Sequence, residues 1–152
     1  MHQSTYTSDL SADFKQALSH GILNNYTYKK FNQCTELARL LGEDTLSVLS
    51  IEQSLDLYKC SGGRKTTLFK TNNIDDIRDT LDFLLYDTIK LEGRFDECVS
   101  DEGAYKLHGT GKEFVSYLLH IRYPLLFGIW NQSSELALKL LGWYTPDLRK
   151  GP

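Results

Sequence analysis

The sequence predicts an all-α protein, a helical bundle in which residues 1–152 form a single domain. Its length and its composition, with 41% hydrophobic and 24% charged residues, are those of a globular chain that can bury a core. Apolar residues recur at helical spacing, and a capping residue or a glycine stands at the ends of these segments. We therefore expect about six helices between irregular tails at 1–10 and 144–152.

The boundaries of the first three helices follow from such caps and glycines. The predicted bounds are a first helix from Ser11 or Asp13 to Gly21, a second from about Tyr28 to Gly42, and a third from Asp44 to the turn Ser61-Gly62-Gly63. The second and third helices each present a row of apolar side chains for the core.

The stretch GGRKTTLFKTNN interrupts the helical pattern. Its two threonines, followed by Leu68 and Phe69, favour extended backbone, so we expect a loop or a small β-hairpin near residues 62–72. Asn73 then caps a helix, IDDIRDTLDFLLYD, which has a clear apolar stripe and two acidic residues in its first turn. A short segment at 94–99 and a polar loop follow it.

Two further helices are predicted in the last third of the chain. An apolar face that begins at Val115 marks the first of them, and Pro124 ends it. The second is expected from about Gln132 to Leu141, where Gly142 stops it.

Composition and cysteine usage exclude several classes of protein. The net charge of -3 argues against a chain coated with basic residues, although it allows a local basic face. Cys34, Cys60 and Cys98 are far apart and form no metal-binding or disulfide pattern. The aspartates of IDDIRDTLD spread around more than one side of their helix. We therefore expect no metal and no cofactor. There is neither an apolar run long enough to span a membrane nor a signal-peptide layout, so we expect a cytoplasmic protein with reduced thiols.

The most informative stretch is HGTGKEF at residues 108–114. A phosphate-binding nucleotide loop needs Ser or Thr after its lysine, and Glu113 stands there. A dinucleotide-binding fingerprint needs a third glycine where Phe114 stands. The stretch is therefore neither motif. It is either a hairpin whose glycines and free N–H groups hold a phosphate or a packing turn between two helices.

The sequence around this stretch resembles the second half of the helix-hairpin-helix DNA glycosylase superfamily. LHGTGKEFVSYLL corresponds to the family's apolar-x-Gly-x-Gly hairpin that opens a helix, with Gly109 and Gly111 at the hairpin positions. After a connection that contains proline, IWN corresponds to the phrase that ends in the catalytic aspartate, and LLG to the end of the last helix. The resemblance covers about a quarter of the chain and implies a helix-hairpin-helix element within the bundle.

Two positions within this resemblance lack the family's chemistry. Lyase-active members carry a lysine two residues after the second hairpin glycine, and Glu113 occupies that position. Asn131, 18 residues further on, occupies the position of the catalytic aspartate. A glutamate cannot form a Schiff base and an amide cannot activate water, so we expect no catalytic residues here. The resemblance therefore implies a DNA-binding module without base-excision chemistry.

The predicted DNA-binding residues form two groups. They are His108, Gly109, Thr110, Gly111 and Lys112 in the hairpin, and Arg64, Lys65 and Thr66 in the preceding loop. We expect both groups to contact the phosphate backbone, with Phe69 as an aromatic wedge or stacking surface, although a solvated loop without a ligand is the alternative. Trp130, Asn131 and Glu113 would line a degenerate pocket, with core packing as the alternative for Trp130.

Two other functions remain open on the sequence alone. One is a glycosylase for a modified base with a relocated carboxylate, for which Glu135 and then Glu113 are the nearest candidates. The other is an adaptor or inhibitor that docks a protein partner, which the acidic net charge and the aspartates of the helix at 74–87 favour. Phrases such as RFDE and YPLLFGIWNQ are also similar to helical segments of McrB-type restriction and other phage-defence proteins, which implies DNA recognition in a phage-defence context.

Overall fold

Helices account for all the regular secondary structure of the described residues. The structure is a computed structural model, and it describes residues 12–17, 19–21 and 35–142. No strand occurs in these ranges, so the predicted all-α class is confirmed. The helices with defined bounds are α1 (Glu43–Leu46), α2 (Ile51–Cys60), α3 (Thr66–Phe69), α4 (Ile74–Tyr86), α5 (Leu91–Val99), α6 (Lys112–Arg122) and α7 (Gln132–Leu140).

The chain divides into two compact units. The first is Thr35–Trp130, which contains α1 to α6. The second combines Met1–Cys34 with Asn131–Gly151, and its described part contains α7 and the helical residues 12–17. That residues 1–152 form a single domain stays a prediction.

The core of the first unit lies among α1 to α6. Helix α4 contacts both α1 and α5, α2 contacts α3, and α5 contacts α6. The least exposed side chains of this core are Leu41, Leu49, Leu57, Tyr58, Leu81, Leu84, Cys98 and Leu118. Helix α6 is buried at seven of its eleven residues, so it is the most enclosed helix of the unit.

The third predicted helix is in fact two helices, and the predicted caps there are wrong. Gly42 has φ -65° and is the N-cap of α1, so it does not end the preceding helix in a left-handed conformation, and Asp44 lies inside α1. Ser50 begins α2, because its Oγ accepts from the Gln53 N–H at 3.1 Å while Gln53 Oε1 accepts from the Ser50 N–H at 2.8 Å. This reciprocal capping box starts a new helix at a point where the apolar pattern continues.

The small β-hairpin considered for residues 62–72 does not form. Residues 62–65 are irregular, and the next four form α3. The Phe69 N–H donates to the Lys65 carbonyl at 2.9 Å, and the Phe69 ring stacks on Tyr58 with 4.2 Å between ring centroids. This packing outweighs the weak preference of the two threonines for extended backbone.

Three other predicted helix ends are confirmed. Asn73 Oδ1 accepts from the Asp75 N–H at 3.1 Å and begins α4. Helix α6 ends at Arg122, shortly before the proline that was expected to end it. Helix α7 ends at Leu140, and Gly142 follows it with φ 71°, the left-handed conformation expected of a stop. The short segment expected at 94–99 is the longer helix α5.

The N-terminal predictions are only partly covered by the described residues. Residues 12–17 are helical and Gly21 has φ 72°, as expected of a helix stop, whereas Asp13 lies within the helix and is not its cap. Residues 35–40 are helical, while Ser11, Tyr28, Cys34 and both predicted tails lie outside the described residues. In the ranges that the structure describes, no helix combines the length and the apolar character needed to cross a bilayer.

Candidate nucleic-acid interface

Two segments that carry predicted DNA-binding residues lie side by side. We call residues 59–72 the loop segment and residues 105–112 the hairpin segment. Tyr58 joins them, because its hydroxyl accepts from the Lys65 N–H at 3.0 Å and donates to the Gly109 carbonyl at 2.8 Å. Since Tyr58 is only 1% exposed, this bridge is shielded from water, and it holds the two segments together.

A second set of hydrogen bonds joins the same two segments. The His108 N–H donates to Asn72 Oδ1 at 2.8 Å, and Asn72 Nδ2 donates to the His108 carbonyl at 3.0 Å. The ring atom Nδ1 of His108 lies 2.9 Å from Thr71 Oγ1. The loop segment therefore holds both the backbone and the ring of His108, although this side chain is exposed.

Three aromatic rings connect the loop segment to α6. Tyr58 and Phe69 are stacked, and Phe114 meets both rings edge-on at 5.8 and 5.9 Å. Phe69 is only 2% exposed, so the prediction that it forms an aromatic wedge is wrong. Its burial in this cluster follows from the helical turn of α3, which the sequence pattern did not indicate. The apolar residue that the loop segment exposes is Leu68.

The two glycines of the hairpin segment have different environments. Gly109 has φ 80°, and a Cβ at this position would lie 3.1 Å from the Phe69 nitrogen and 3.2 Å from the Lys65 carbonyl oxygen. Gly109 is therefore the point at which the backbones of the two segments approach each other closely. Gly111 is the N-cap of α6, and no atom lies within 4 Å of the position that its Cβ would take. It leaves space beside the start of α6.

The joined segments carry positive charge without acidic residues. The loop segment has four Lys or Arg residues and the hairpin segment has two, and neither contains Asp or Glu. Five of the six side chains are exposed: Lys59, Arg64, Lys65, Lys70 and Lys112. The sixth, Lys106, donates to the carbonyl groups of Val99 and Thr110 at 3.0 and 2.6 Å. Five exposed cationic groups thus belong to two segments that contact each other.

Residues 73–104 carry the opposite charge. They contain ten acidic residues and three basic ones, and all ten acidic side chains are exposed. Asp75 is paired with Arg78, with 3.1 Å between Oδ1 and Nη1. Basic and acidic residues are therefore concentrated in different stretches of the Thr35–Trp130 unit, and one ion pair joins them, with 3.8 Å between Lys106 Nζ and Asp101 Oδ1.

The side chain of Lys112 lies over the ring of Trp130. Its Nζ is 4.6 Å from the ring centroid, within the range of a cation–π interaction. Trp130 is half-buried, stacks on Phe95 with 6.2 Å between centroids, and donates its backbone N–H to Ser116 Oγ at 2.7 Å. Packing therefore holds Trp130, and the indole in turn orients the exposed ammonium group of Lys112.

The other predicted pocket residues have local structural contacts. Glu113 lies in the first turn of α6, and its Oε1 is 2.8 Å from the position that a Cβ on Gly62 would take. Asn131 belongs to the second unit and caps α7, because its Oδ1 accepts from the Ser134 N–H at 2.9 Å. Glu135 stands in the first turn of α7. A pocket lined by Trp130, Asn131 and Glu113 stays a prediction.

Two residues that join the segments, Tyr58 and Asn72, are not predictable from the sequence. Their partners lie 51 and 36 residues away along the chain, and no motif at either position indicates the contact. Within the described residues, no group of three His, Cys, Asp or Glu side chains could hold a metal ion, and Cys98 is a buried free thiol.

Comparison with known proteins found no match. No protein-family model, no curated protein and no solved structure is similar to this chain. The function is therefore inferred from the residues and their geometry.

Proposed function

We propose that the protein is a cytoplasmic DNA-binding module that contacts the phosphate backbone through the surface of the loop and hairpin segments, here called the basic surface. One observation carries the proposal: five exposed Lys and Arg side chains belong to two acid-free segments that Tyr58 and Asn72 hold together. DNA is a polyanion, and contacts of Lys and Arg with its phosphates supply most of the affinity of sequence-independent binding.

The residues of the basic surface contribute in different ways. Arg64 presents a planar guanidinium that can bind two phosphate oxygens, whereas Lys65 and Lys112 supply point charges. Lys112 is the first residue of α6, where a positive charge is unfavourable for the helix dipole unless an anion lies nearby. Gly111 leaves room for such an anion beside the helix start. Gly109 acts by bringing the segments together.

The proposed module has no base-excision chemistry. This part of the proposal rests on the resemblance to the helix-hairpin-helix glycosylases, in which Glu113 and Asn131 replace a lysine and an aspartate. The Asn131 side chain caps α7, and an amide fulfils this structural role as well as a carboxylate does. If the protein released a modified base and Glu135→Gln abolished the release, the binding-only proposal would fail.

Charge reversal on the basic surface tests DNA binding. Fluorescence anisotropy with a labelled duplex, repeated over a series of KCl concentrations, gives both the Kd and its salt dependence. We expect Arg64→Glu with Lys65→Glu to weaken binding by on the order of tenfold or more, and to reduce the slope of log Kd against log salt by about 2. Both effects follow from the loss of two phosphate contacts.

A matched control separates local contacts from net charge. Lys65→Glu and Lys90→Glu make the same change of charge at exposed lysines, but Lys90 lies among the acidic residues 73–104. Only Lys65→Glu should weaken binding strongly. Equal effects of the two variants, or no affinity of the wild type at low salt, would contradict the proposal.

A second candidate function is supported by the ten exposed acidic residues of 73–104. They suit the docking of a protein partner with a basic surface, as an adaptor or an inhibitor in a phage-defence system would require. The absence of DNA affinity at low salt in the experiment above would favour this candidate.

A further inference from the structure

We propose that the basic surface takes up a proton at His108 when it binds a phosphodiester, so that DNA binding tightens as the pH falls. This inference rests on the proposed function and concerns the regulation of the same surface. It is carried by the hydrogen bonds that hold the imidazole ring between the hairpin and loop segments.

The hydrogen bonds of Thr71 determine which ring nitrogen of His108 carries the hydrogen. Thr71 Oγ1 lies 2.7 Å from the Leu68 carbonyl oxygen and 2.9 Å from His108 Nδ1. A carbonyl oxygen can only accept, and a hydroxyl group has a single hydrogen, so Thr71 donates to Leu68 and accepts from His108. Nδ1 therefore carries a hydrogen, and Nε2 of the neutral ring has an unprotonated lone pair.

Protonation of Nε2 makes the interaction of His108 with a phosphate favourable. His108 is exposed, and no contact of Nε2 with another described residue competes for this nitrogen. A phosphate oxygen only accepts hydrogen bonds, so the lone pair of a neutral Nε2 offers it nothing. The imidazolium form instead presents an N–H donor and a full positive charge.

The ring is held in place before any ligand binds. Both backbone hydrogen bonds of His108 go to the Asn72 side chain, at 2.8 and 3.0 Å, and Nδ1 is engaged by Thr71. Only Nε2 is left to meet a ligand. A side chain that is already oriented loses little conformational entropy on binding. The free energy gained from the new hydrogen bond and charge of the protonated ring is therefore offset very little.

Both basic and acidic residues belong to or adjoin the two segments that hold His108. The loop and hairpin segments contribute the basic residues Lys59, Arg64, Lys65, Lys70, Lys106 and Lys112. The acidic residues nearest in sequence to these segments are Asp56 in α2, Asp75 and Asp76 in the first turn of α4, Asp101 and Glu102 before the hairpin segment, and Glu113 in the first turn of α6. Asp101 pairs with Lys106, with 3.8 Å between Oδ1 and Nζ. Asp75 pairs with Arg78. A bound phosphate adds negative charge beside His108, and a nearby negative charge favours the imidazolium form, so phosphate binding and proton uptake favour each other.

The pH dependence of DNA affinity tests the inference. The Kd for a short duplex is measured from pH 5.5 to 8.5 at constant ionic strength, a range in which the phosphodiester does not titrate. Wild-type Kd should rise with pH, by up to about tenfold per pH unit if one proton is taken up on binding. His108→Gln should flatten this profile. His120→Gln is the matched control, because the His120 ring bonds the Phe127 carbonyl within its own part of the chain, and it should keep the wild-type slope.

A second measurement tests the tautomer without DNA. Long-range ¹H–¹⁵N correlation at pH 8 should show the Nδ1–H tautomer for His108, and Thr71→Val should shift the ring away from it. An Nε2–H tautomer, or a pH profile that His108→Gln leaves unchanged, would overturn this inference while leaving DNA binding intact. No DNA affinity at any pH would overturn the proposed function and this inference together.

Discussion

The Tyr58 hydroxyl contacts both segments of the basic surface from within the core. It accepts from the Lys65 N–H and donates to the Gly109 carbonyl. Tyr58→Phe leaves both backbone groups without this partner in a buried place, while the ring can still stack on Phe69. We expect the free energy of unfolding to fall by about 1–3 kcal/mol, measured by urea denaturation. DNA affinity should fall as well, because the segments are less firmly joined.

Tyr105→Phe is the control for the loss of a hydroxyl group. Tyr105 stacks on Phe83 with 3.8 Å between centroids, much as Tyr58 stacks on Phe69, but its hydroxyl makes no hydrogen bond to the described residues. The change in unfolding free energy should stay within about 0.5 kcal/mol. Similar losses in the two variants would show that the bridge of Tyr58 contributes nothing specific.

At the scale of the structural element, the turn into α6 depends on its two glycines in different ways. Gly109→Ser places a side chain at φ 80° and against the backbone of Lys65 and Phe69, so the free energy of unfolding should fall by about 1–3 kcal/mol. Gly111→Ser meets no atom within 4 Å and puts a good capping residue at an uncapped helix start. Its effect should stay within a few tenths of a kcal/mol.

Thermal unfolding of Gly109→Ser and Gly111→Ser shows whether glycine is needed only where it packs against the loop segment or equally at both positions of the turn. The substitution is the same in both variants, so a difference between them reports on the two environments alone. Equal destabilisation would mean that the contact of Gly109 with the loop segment has no energetic consequence.

The ends of the helices were predictable where a local signal marks them. Asn73 and Gly142 are such signals, since a cap or a left-handed glycine acts within one helical turn. The capping box at Ser50 is also present in the sequence, as Ser-x-x-Gln, but it lies within a continuous apolar pattern that predicts one uninterrupted helix. Helix α3 had no such signal. The stacking of Phe69 on a residue of α2 stabilises it.

At the scale of the whole molecule, the burial of Cys98 in the first unit makes the free energy of unfolding depend on pH. Burial raises the pKa of this thiol from 9.0 to about 12, with a smaller contribution from Glu97 in the same direction. The folded protein therefore keeps the proton at a pH at which the unfolded chain has lost it. The resulting stability is fully present below pH ~9 and is lost as the pH rises through the folded-state pKa.

Denaturation at pH 8 and pH 10.5 tests this dependence. The wild type should lose on the order of 2 kcal/mol more unfolding free energy between these values than Cys98→Ala, since each pH unit above the unfolded-state pKa corresponds to about 1.4 kcal/mol. The cavity left by the alanine lowers the free energy of unfolding equally at both pH values. Its effect therefore cancels when only the change with pH is compared. Identical pH dependence of the two proteins would contradict the burial of the thiol.

The separation of charge is also a property of the whole unit. The sequence shows a net charge of -3 and a cluster of basic residues at 64–70. It does not show that this cluster is joined to the hairpin segment, because that contact depends on Tyr58 and on Asn72. Arg64, Lys65 and Lys112 of the candidate site were therefore predictable from the sequence, whereas Lys59 and the joining of the two segments were not.

The sequence by itself determined the all-α class, the helix ends marked by Asn73, Pro124 and Gly142, and the lack of a nucleotide-loop motif in HGTGKEF. These properties depend on residues within one or two helical turns of each other, so local patterns encode them. Only the tertiary structure decided that Phe69 is buried, that Gly109 packs against backbone, and that the His108 ring is held by Thr71. Those outcomes depend on contacts between segments far apart in the chain, which form only when the core brings the helices together.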